Sequence, residues 1–346
     1  MTTLSTMKRI AEETNLSIGT VSLVLNGRGD ELRISKKTQQ LVLETARRLG
    51  YLPNVSARRL RQASGAAVPV IAAFWPTDLS PEIIGRFFTG AQSSLLQQEK
   101  QFEMMIQPYR RSQIHKLRNI CDSGIYNGVI ITGLSEEDQR YLEENQLDIP
   151  TVLFNRESRI YSNVHVDNYE IGRKTAELFA SRGHRRVGII MPVYGEKTRT
   201  SLRNKGFIES CEKYGLSLDP NHIQSAPMTM EGGNIAARRM LEADGDPPTA
   251  VFFSISIMAV AALPVFHQAG IKIPDDMEIM TYGDHEIERY TFPSLSTVKL
   301  PVEEMAQACI RLVIERIRGM RDEPASLVFD TPFVFRESCG GFVKQP

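Results

Sequence analysis

The chain has 346 residues, 41 Lys plus Arg against 41 Asp plus Glu, and 42% apolar residues, too many for one small module and ample for two or three domains with real cores. Its most apolar stretch, 250–266, is broken by Ser254, Ser256 and Pro264 and falls short of a membrane span, and no apolar leader opens the chain. Four scattered cysteines (Cys121, Cys211, Cys309, Cys339) without a C-x-x-C pair suit reduced thiols, so a soluble cytoplasmic protein is expected.

In chain order, the first signal is MKRIAEETNLSIGTVSLVLNG, residues 7–27. Met7, Ile10 and Ala11, then Leu16, Val21 and Leu25, recur at helical spacing on either side of the break Thr14-Asn15-Leu16-Ser17. That pattern predicts two short helices joined by a tight turn. Ser17 can cap the second by accepting a backbone N–H, and Gly19, Thr20 and Ser22 are small enough for close approach to another backbone. A helix that is small and polar along one edge fits a DNA major groove, although many amphipathic helix pairs merely pack. Ser35-Lys36-Lys37-Thr38 opens a third helix carrying Leu41, Val42, Ala46 and Leu49, which stops at Gly50.

After it stand Gly50-Tyr51-x-Pro53-Asn54 and Ala57-x-x-Leu60. Together with Thr20-Val21-Ser22 and Val24-Leu25-Asn26-Gly27, these motifs make the chain resemble the lactose repressor (LacI/GalR) family of bacterial transcription regulators. Charge agrees: residues 1–64 hold eleven Lys and Arg against five acids, a net of +6 that leaves −6 on the remainder. A cationic module that meets phosphates and an acidic body that does not are the reading. The loop Arg28-Gly29-Asp30-Glu31-Leu32-Arg33 is longer than the family's and reads as surface.

Beyond the linker 62–67, β-rich runs (68–74, 104–106, 128–132, 151–154, 186–191, 250–254, 277–282) alternate with amphipathic stretches (84–98, 169–181, 203–214, 235–243, 303–318). Alternation of this kind predicts two doubly wound parallel-sheet lobes with a cleft at their strand ends. Val166-Asp167-Asn168, Gly183-His184-Arg185-Arg186, Pro248-Thr249-Ala250, Pro293-x-Leu295-x-Thr297-Val298 and Arg336-Glu337-Ser338 resemble landmarks of that family's periplasmic-binding-protein-like core. The expected fold is an all-α helix-turn-helix headpiece (1–50), a hinge and linker (51–67) and an α/β core (68–340). The first lobe would span about 68–167 and 299–326, the second about 168–298 and 327–340.

The resemblance implies base-edge contacts from Ile18, Gly19 and Leu23 and mainly phosphate contacts from Ser17, Thr20, Ser22 and Asn26. Most of the family has Arg where Leu23 stands, so an altered half-site with a thymine-methyl contact is expected; the plainer reading puts Leu23 in the headpiece core. Residues 54–61 make only two helical turns and should order only on DNA, where two copies would place Leu60 as a minor-groove wedge, with Asn54 and Ala57 in the same hinge. A homodimer on a near-palindromic operator follows.

For the cleft, the family pattern implies Asp78, Thr132, Asn155, Arg203, Met228, Ile255, Gly283 and Leu300 around an effector. Where this chain has Ile255, Gly283 and Leu300, sugar-binding relatives carry Asn, Asp and Gln. Losing three polar partners argues against a neutral sugar, because each buried hydroxyl left unpaired costs about 1–3 kcal/mol. Arg203 suits an anionic or partly apolar ligand, or else a surface ion pair; a regulator without any small effector is the alternative. No G-x-S-x-G, H-E-x-x-H, P-loop or G-x-G-x-x-G after a strand occurs, and His184, His222, His267 and His285 are scattered, so no enzyme, cofactor or metal is expected.

Overall fold

The computed structural model describes residues 3–25, 34–49, 68–79, 81–98, 101–117, 126–193 and 199–340. Asn26, Gly50, the loop 28–33, the hinge with Asn54, Ala57 and Leu60, and Cys121 lie outside the described residues. Three helices, α1 (Thr3–Thr14), α2 (Ile18–Leu25) and α3 (Lys36–Arg48), form the amino-terminal unit. Helix α1 ends where Thr14 turns its hydroxyl back onto the Ile10 carbonyl, 2.6 Å away, and Asn15 takes a left-handed backbone with φ 53°. Asparagine tolerates that conformation better than branched residues. Ile10, Ala11, Val21, Val24, Val42 and Ala46 are buried together, so the helical spacing of the sequence becomes one small core.

Two six-stranded sheets build the body. Strands β1 (Val70–Pro76), β2 (Glu103–Tyr109), β3 (Gly128–Thr132), β4 (Thr151–Phe154) and β5 (Ser162–Val166) alternate with helices α4 (Pro81–Leu96) and α5 (Glu136–Glu144). After β5 the chain crosses into the second lobe, with α6 (Asn168–Ser181), β6 (Arg186–Pro192), α7 (Arg199–Lys213), β7 (Ser217–Ala226), α8 (Met230–Glu242), β8 (Ala250–Phe253), α9 (Ser256–Gln268), β9 (Glu278–Gly283) and β10 (Ser296–Lys299). It returns through α10 (Val302–Ile317) and β11 (Ser326–Phe329) and crosses a third time into β12 (Phe333–Val334).

The sheet orders are β11-β5-β4-β3-β1-β2 and β12-β10-β9-β8-β6-β7. All pairings are parallel except β10 with β12. Every residue of β1, β3, β4 and β5 is buried, as in parallel strands covered on both faces.

One expected boundary is corrected. The second lobe is expected to resume at about residue 327, yet β11 pairs with β5 in the first sheet, Leu327 opposite Val164 and Phe329 opposite Val166. Leu327 and Phe329 pack on the core while Val328 is exposed, and this alternation holds the strand in the first sheet through Phe329. Helices α6 and α7 meet at two glycines: a Cβ on Gly172 would lie 2.0 Å from the Arg203 carbonyl oxygen, and one on Gly206 2.1 Å from that of Tyr169. That contact brings α7, and Arg203 on it, against the start of α6. Trp75, the single tryptophan, packs edge-on against Phe87 at 5.2 Å, one residue before β1 ends at the cleft.

At the far end of the second lobe, Glu278 is buried and accepts from Arg182 Nε at 2.6 Å. Burial alone would raise its carboxyl pKa, but His184, Arg182 and Cys339 overcome this and hold it at about 2. The folded pKa lies below the unfolded one, so Glu278 contributes stability above the ordinary carboxylate range and loses it as pH falls toward about 2. The expected result is an acid unfolding limb between those pH values that is shallower in Glu278→Gln, measured by circular dichroism; equal limbs would contradict the pairing.

Candidate DNA-reading surface and interlobe cleft

The outward face of α2 is read from what its inward face buries. Val21 and Val24 point into the small core, which leaves Ile18, Gly19, Ser22 and Leu23 on the opposite side. Ser17 accepts from the Thr20 backbone N–H at 3.0 Å, the expected cap, and its hydroxyl pairs with that of Thr20 at 2.9 Å. Ile18 is 47% exposed. Leu23 is half-buried and is not among the residues packed into the cluster, where Leu16, Leu25, Ile34 and Leu49 fill the margin. Ser35 caps α3 in the same way as Ser17 caps α2, accepting from Thr38 N at 3.2 Å. Of the ten residues expected on DNA, six lie on or beside α2 and none of these is buried: Ser17, Ile18, Gly19, Thr20, Ser22 and Leu23.

Between the lobes lies a cavity of about 580 Å³, within the ordinary range of small-molecule sites. It opens where the strands end: Thr77 and Asp78 follow β1, Gly133 follows β3, Asn155 follows β4, Ile255 follows β8, Gly283 closes β9 and Leu300 follows β10. Ligands of open α/β sheets sit at such carboxyl ends. Seven of the eight expected effector residues line it: Asp78, Asn155, Arg203, Met228, Ile255, Gly283 and Leu300. Thr132 does not. It is the last residue of β3, fully buried, and its hydroxyl donates to the Phe74 carbonyl at 3.0 Å, so the wall begins one residue later at Gly133.

Arg203 is 3% exposed, which corrects the surface ion-pair alternative. Its Nη1 donates to Asn168 Oδ1 at 3.0 Å, its Nη2 to the Ser254 carbonyl at 2.8 Å, and its Cζ stands 3.5 Å from the Tyr282 ring centroid. Two N–H groups and one face of the guanidinium are thereby engaged by the wall itself. Gly283 has φ 142°, and a Cβ there would fall 2.6 Å from His285 Cδ2. The imidazole occupies the volume that a side chain at 283 would need.

Sequence reading missed the contacts that close one rim. From α4, Glu82 accepts from the Glu286 backbone N–H at 2.9 Å and meets His285 Nδ1 at 2.6 Å. Arg86, one turn further, forms a fork on Glu303 with both contacts at 2.8 Å, and donates to the carbonyls of Gly283, Asp284 and Leu300 at 3.2, 3.3 and 2.9 Å. Burial would lower the Arg86 pKa, but the Glu303 pairing outweighs it and the value rises; the Glu303 carboxyl is held low by the same pair. These partners are more than 195 residues apart in sequence, so no local pattern announces them. Among the described residues no cluster of His, Cys, Asp or Glu is arranged to hold a metal, and no helix is long and apolar enough to cross a membrane.

A capped helix-turn-helix unit ahead of a two-lobed body with an interlobe cavity defines a DNA-binding transcription regulator. A family model described as bacterial regulatory proteins, lacI family, matches residues 6–54, and one for the periplasmic binding protein-like domain matches residues 176–339. The chain belongs to the LacI family of bacterial transcription regulators. It is 36% identical to a solved LacI family transcription regulator from Clostridium acetobutylicum, covering 78% of this chain and 99% of that one, TM-score 0.73. The probable HTH-type transcriptional repressor ExuR of Bacillus subtilis is 26% identical over 337 residues, 96% of this chain and 98% of the relative. A solved transcriptional regulator CelR–cellobiose complex, 24% identical with TM-score 0.68 over 96% of this chain and 99% of that one, shares the fold.

Proposed function

We propose that the chain is a repressor acting as a homodimer in the cytoplasm on near-palindromic operator DNA, its affinity set by a small ligand in the interlobe cleft. The carrying observation is the outward edge of α2, where Ile18, Gly19, Ser22 and Leu23 turn away from the headpiece core next to a Ser17 cap. Polar groups there would set register on phosphates, and side chains at the edge would read bases. The hinge residues Asn54, Ala57 and Leu60 would complete the reader by folding against a second copy, and Asn26 would extend the phosphate contacts. The cavity would take the effector, as the cellobiose complex of the related regulator suggests for the fold. Apolar Ile255 and Leu300, and Gly283 backed by His285, replace the partners that a neutral sugar's hydroxyls require.

Leu23 is the residue on which specificity is tested. Leucine can pack against a thymine methyl but cannot form the two hydrogen bonds by which arginine reads guanine. The expected result is that Leu23→Arg, challenged with random duplexes, selects a half-site gaining guanine at one position, with discrimination of about 1–3 kcal/mol there. An unchanged preferred sequence would remove Leu23 from the interface.

A further inference from the structure

The cleft is lined by four arginines, Arg86, Arg111, Arg156 and Arg203, against two carboxylates, Asp78 and Glu82. Their commitments differ. Arg86 is spent on Glu303 and three carbonyls, and Arg203 is anchored by Asn168, Ser254 and Tyr282. Arg111 faces Asp78 at 3.1 Å. Among the described residues the Arg156 guanidinium has one hydrogen-bond partner, the neutral Oε1 of Gln139, reached by its Nε, and it makes no ion pair. Its two terminal nitrogens have no partner among the described residues, and the residue lines the cavity.

The surroundings compensate that charge only from a distance, through Glu136, Glu143 and Asp138, none of them in an ion pair with it. Burial pulls the Arg156 pKa below its ordinary value; Glu136 and Glu143 act against this from beyond ion-pair distance, and Arg111 adds like-charge repulsion. A guanidinium stays protonated even so, and a partly desolvated one that makes no ion pair of its own gains from an anion. Arg156 follows Asn155, whose left-handed backbone with φ 51° turns the chain as it leaves β4, and both residues line the cleft. The lining also includes the apolar Met228, Ile255 and Leu300, set among polar neighbours such as Asn168, Ser256 and His285.

Resting on the ligand-modulated reading above, we infer that Arg156, with Arg111 beside it, seats an acidic group, carboxylate or phosphate, of a small ligand whose remainder packs on Met228, Ile255 and Leu300. A planar fork suits either group by two parallel N–H···O bonds.

The test uses the full chain with inorganic phosphate and acetate as probes, each compared with chloride at equal ionic strength, read by thermal midpoint and by Trp75 fluorescence. One probe or both should raise the midpoint above the chloride control, and the tighter of the two names the acidic group. Arg156→Gln should weaken that response at least about tenfold, the loss expected for a hydrogen-bonded charge. Arg156→Lys, which keeps the charge without the fork, should fall between. Phosphate taken up by the basic headpiece would be insensitive to either substitution. No response beyond chloride, or equal responses in wild type and Arg156→Gln variants that melt alike without probe, overturns the inference. Operator selection by the wild-type chain is run in parallel: its failure would sink the regulator reading and leave the anion result standing, and the converse outcome separates the two just as clearly.

Discussion

Removal of residues 1–64 is expected to abolish retention on operator DNA, by at least about a thousandfold, while the remaining two-lobed body still melts cooperatively. The reasoning is electrostatic and geometric together. That segment carries +6 in a chain of zero net charge, so its loss leaves a body of −6 that phosphates repel. It also removes Ser17, the outward edge of α2 and residues 51–64, the segment to which the proposed function assigns the reading of DNA. The body keeps its core, because the headpiece cluster of Ile10, Val21, Val24 and Val42 is separate from the clusters that hold the lobes. Electrophoretic retention and calorimetry measure both halves of the expectation. A truncated chain that still preferred one duplex sequence would place the reader in the lobes.

The second large effect is expected from Arg86→Ala. Its fork on Glu303 and its three carbonyl contacts tie α4 of the first lobe to the end of β9 in the second and to the crossing at Leu300. Removing the guanidinium leaves a carboxylate and three carbonyls without their donor. The cost should be about 2–3 kcal/mol in urea unfolding, below that of a fully enclosed pair because Glu303 keeps 34% of its side chain exposed. Trp75 fluorescence should change as well, since its partner Phe87 is the next residue on the same helix. Arg86→Lys keeps the charge without the fork and should recover part of the loss. A variant as stable as the wild type would mean that the rim contacts are not a clamp.

What could be read from the sequence follows the range of the interactions concerned. The headpiece was legible because caps and helical spacing are local: Ser17, Ser35, Val21 and Val42 act within a few residues of themselves. Strands β1, β3 and β4, buried on both faces, were legible as apolar runs, whereas β5, just as buried, was not, because Ser162, Asn163 and His165 interrupt its apolar pattern. Strand β7, SLDPNHIQSA, was not, because an edge strand with one neighbour needs no apolar run and tolerates Pro220. Helix α9 was hidden in the 250–266 stretch, where β8 and a helix apolar on all sides adjoin with only Ser254 and Ile255 between them. In the cleft, residue-by-residue transfer found seven wall positions but missed Arg156, which enters the wall because the left-handed turn at Asn155 redirects the chain just after β4 ends. Thr132 was misplaced by one residue for the complementary reason: the strand had not yet ended. The rim contacts of Glu82 and Arg86 depend on the closed tertiary arrangement and have no local signature.

The three crossings have a consequence for how the protein is made. Sheet one receives its last strand, β11, only after the whole of sheet two from β6 to β10 has been synthesised, and sheet two receives β12 later still. Sheet one therefore cannot be completed before most of sheet two has been made, and sheet two cannot be completed before sheet one. Until Phe329 is out, β5 presents an unpaired backbone margin, and that nascent form is the one on which chaperones would have to act.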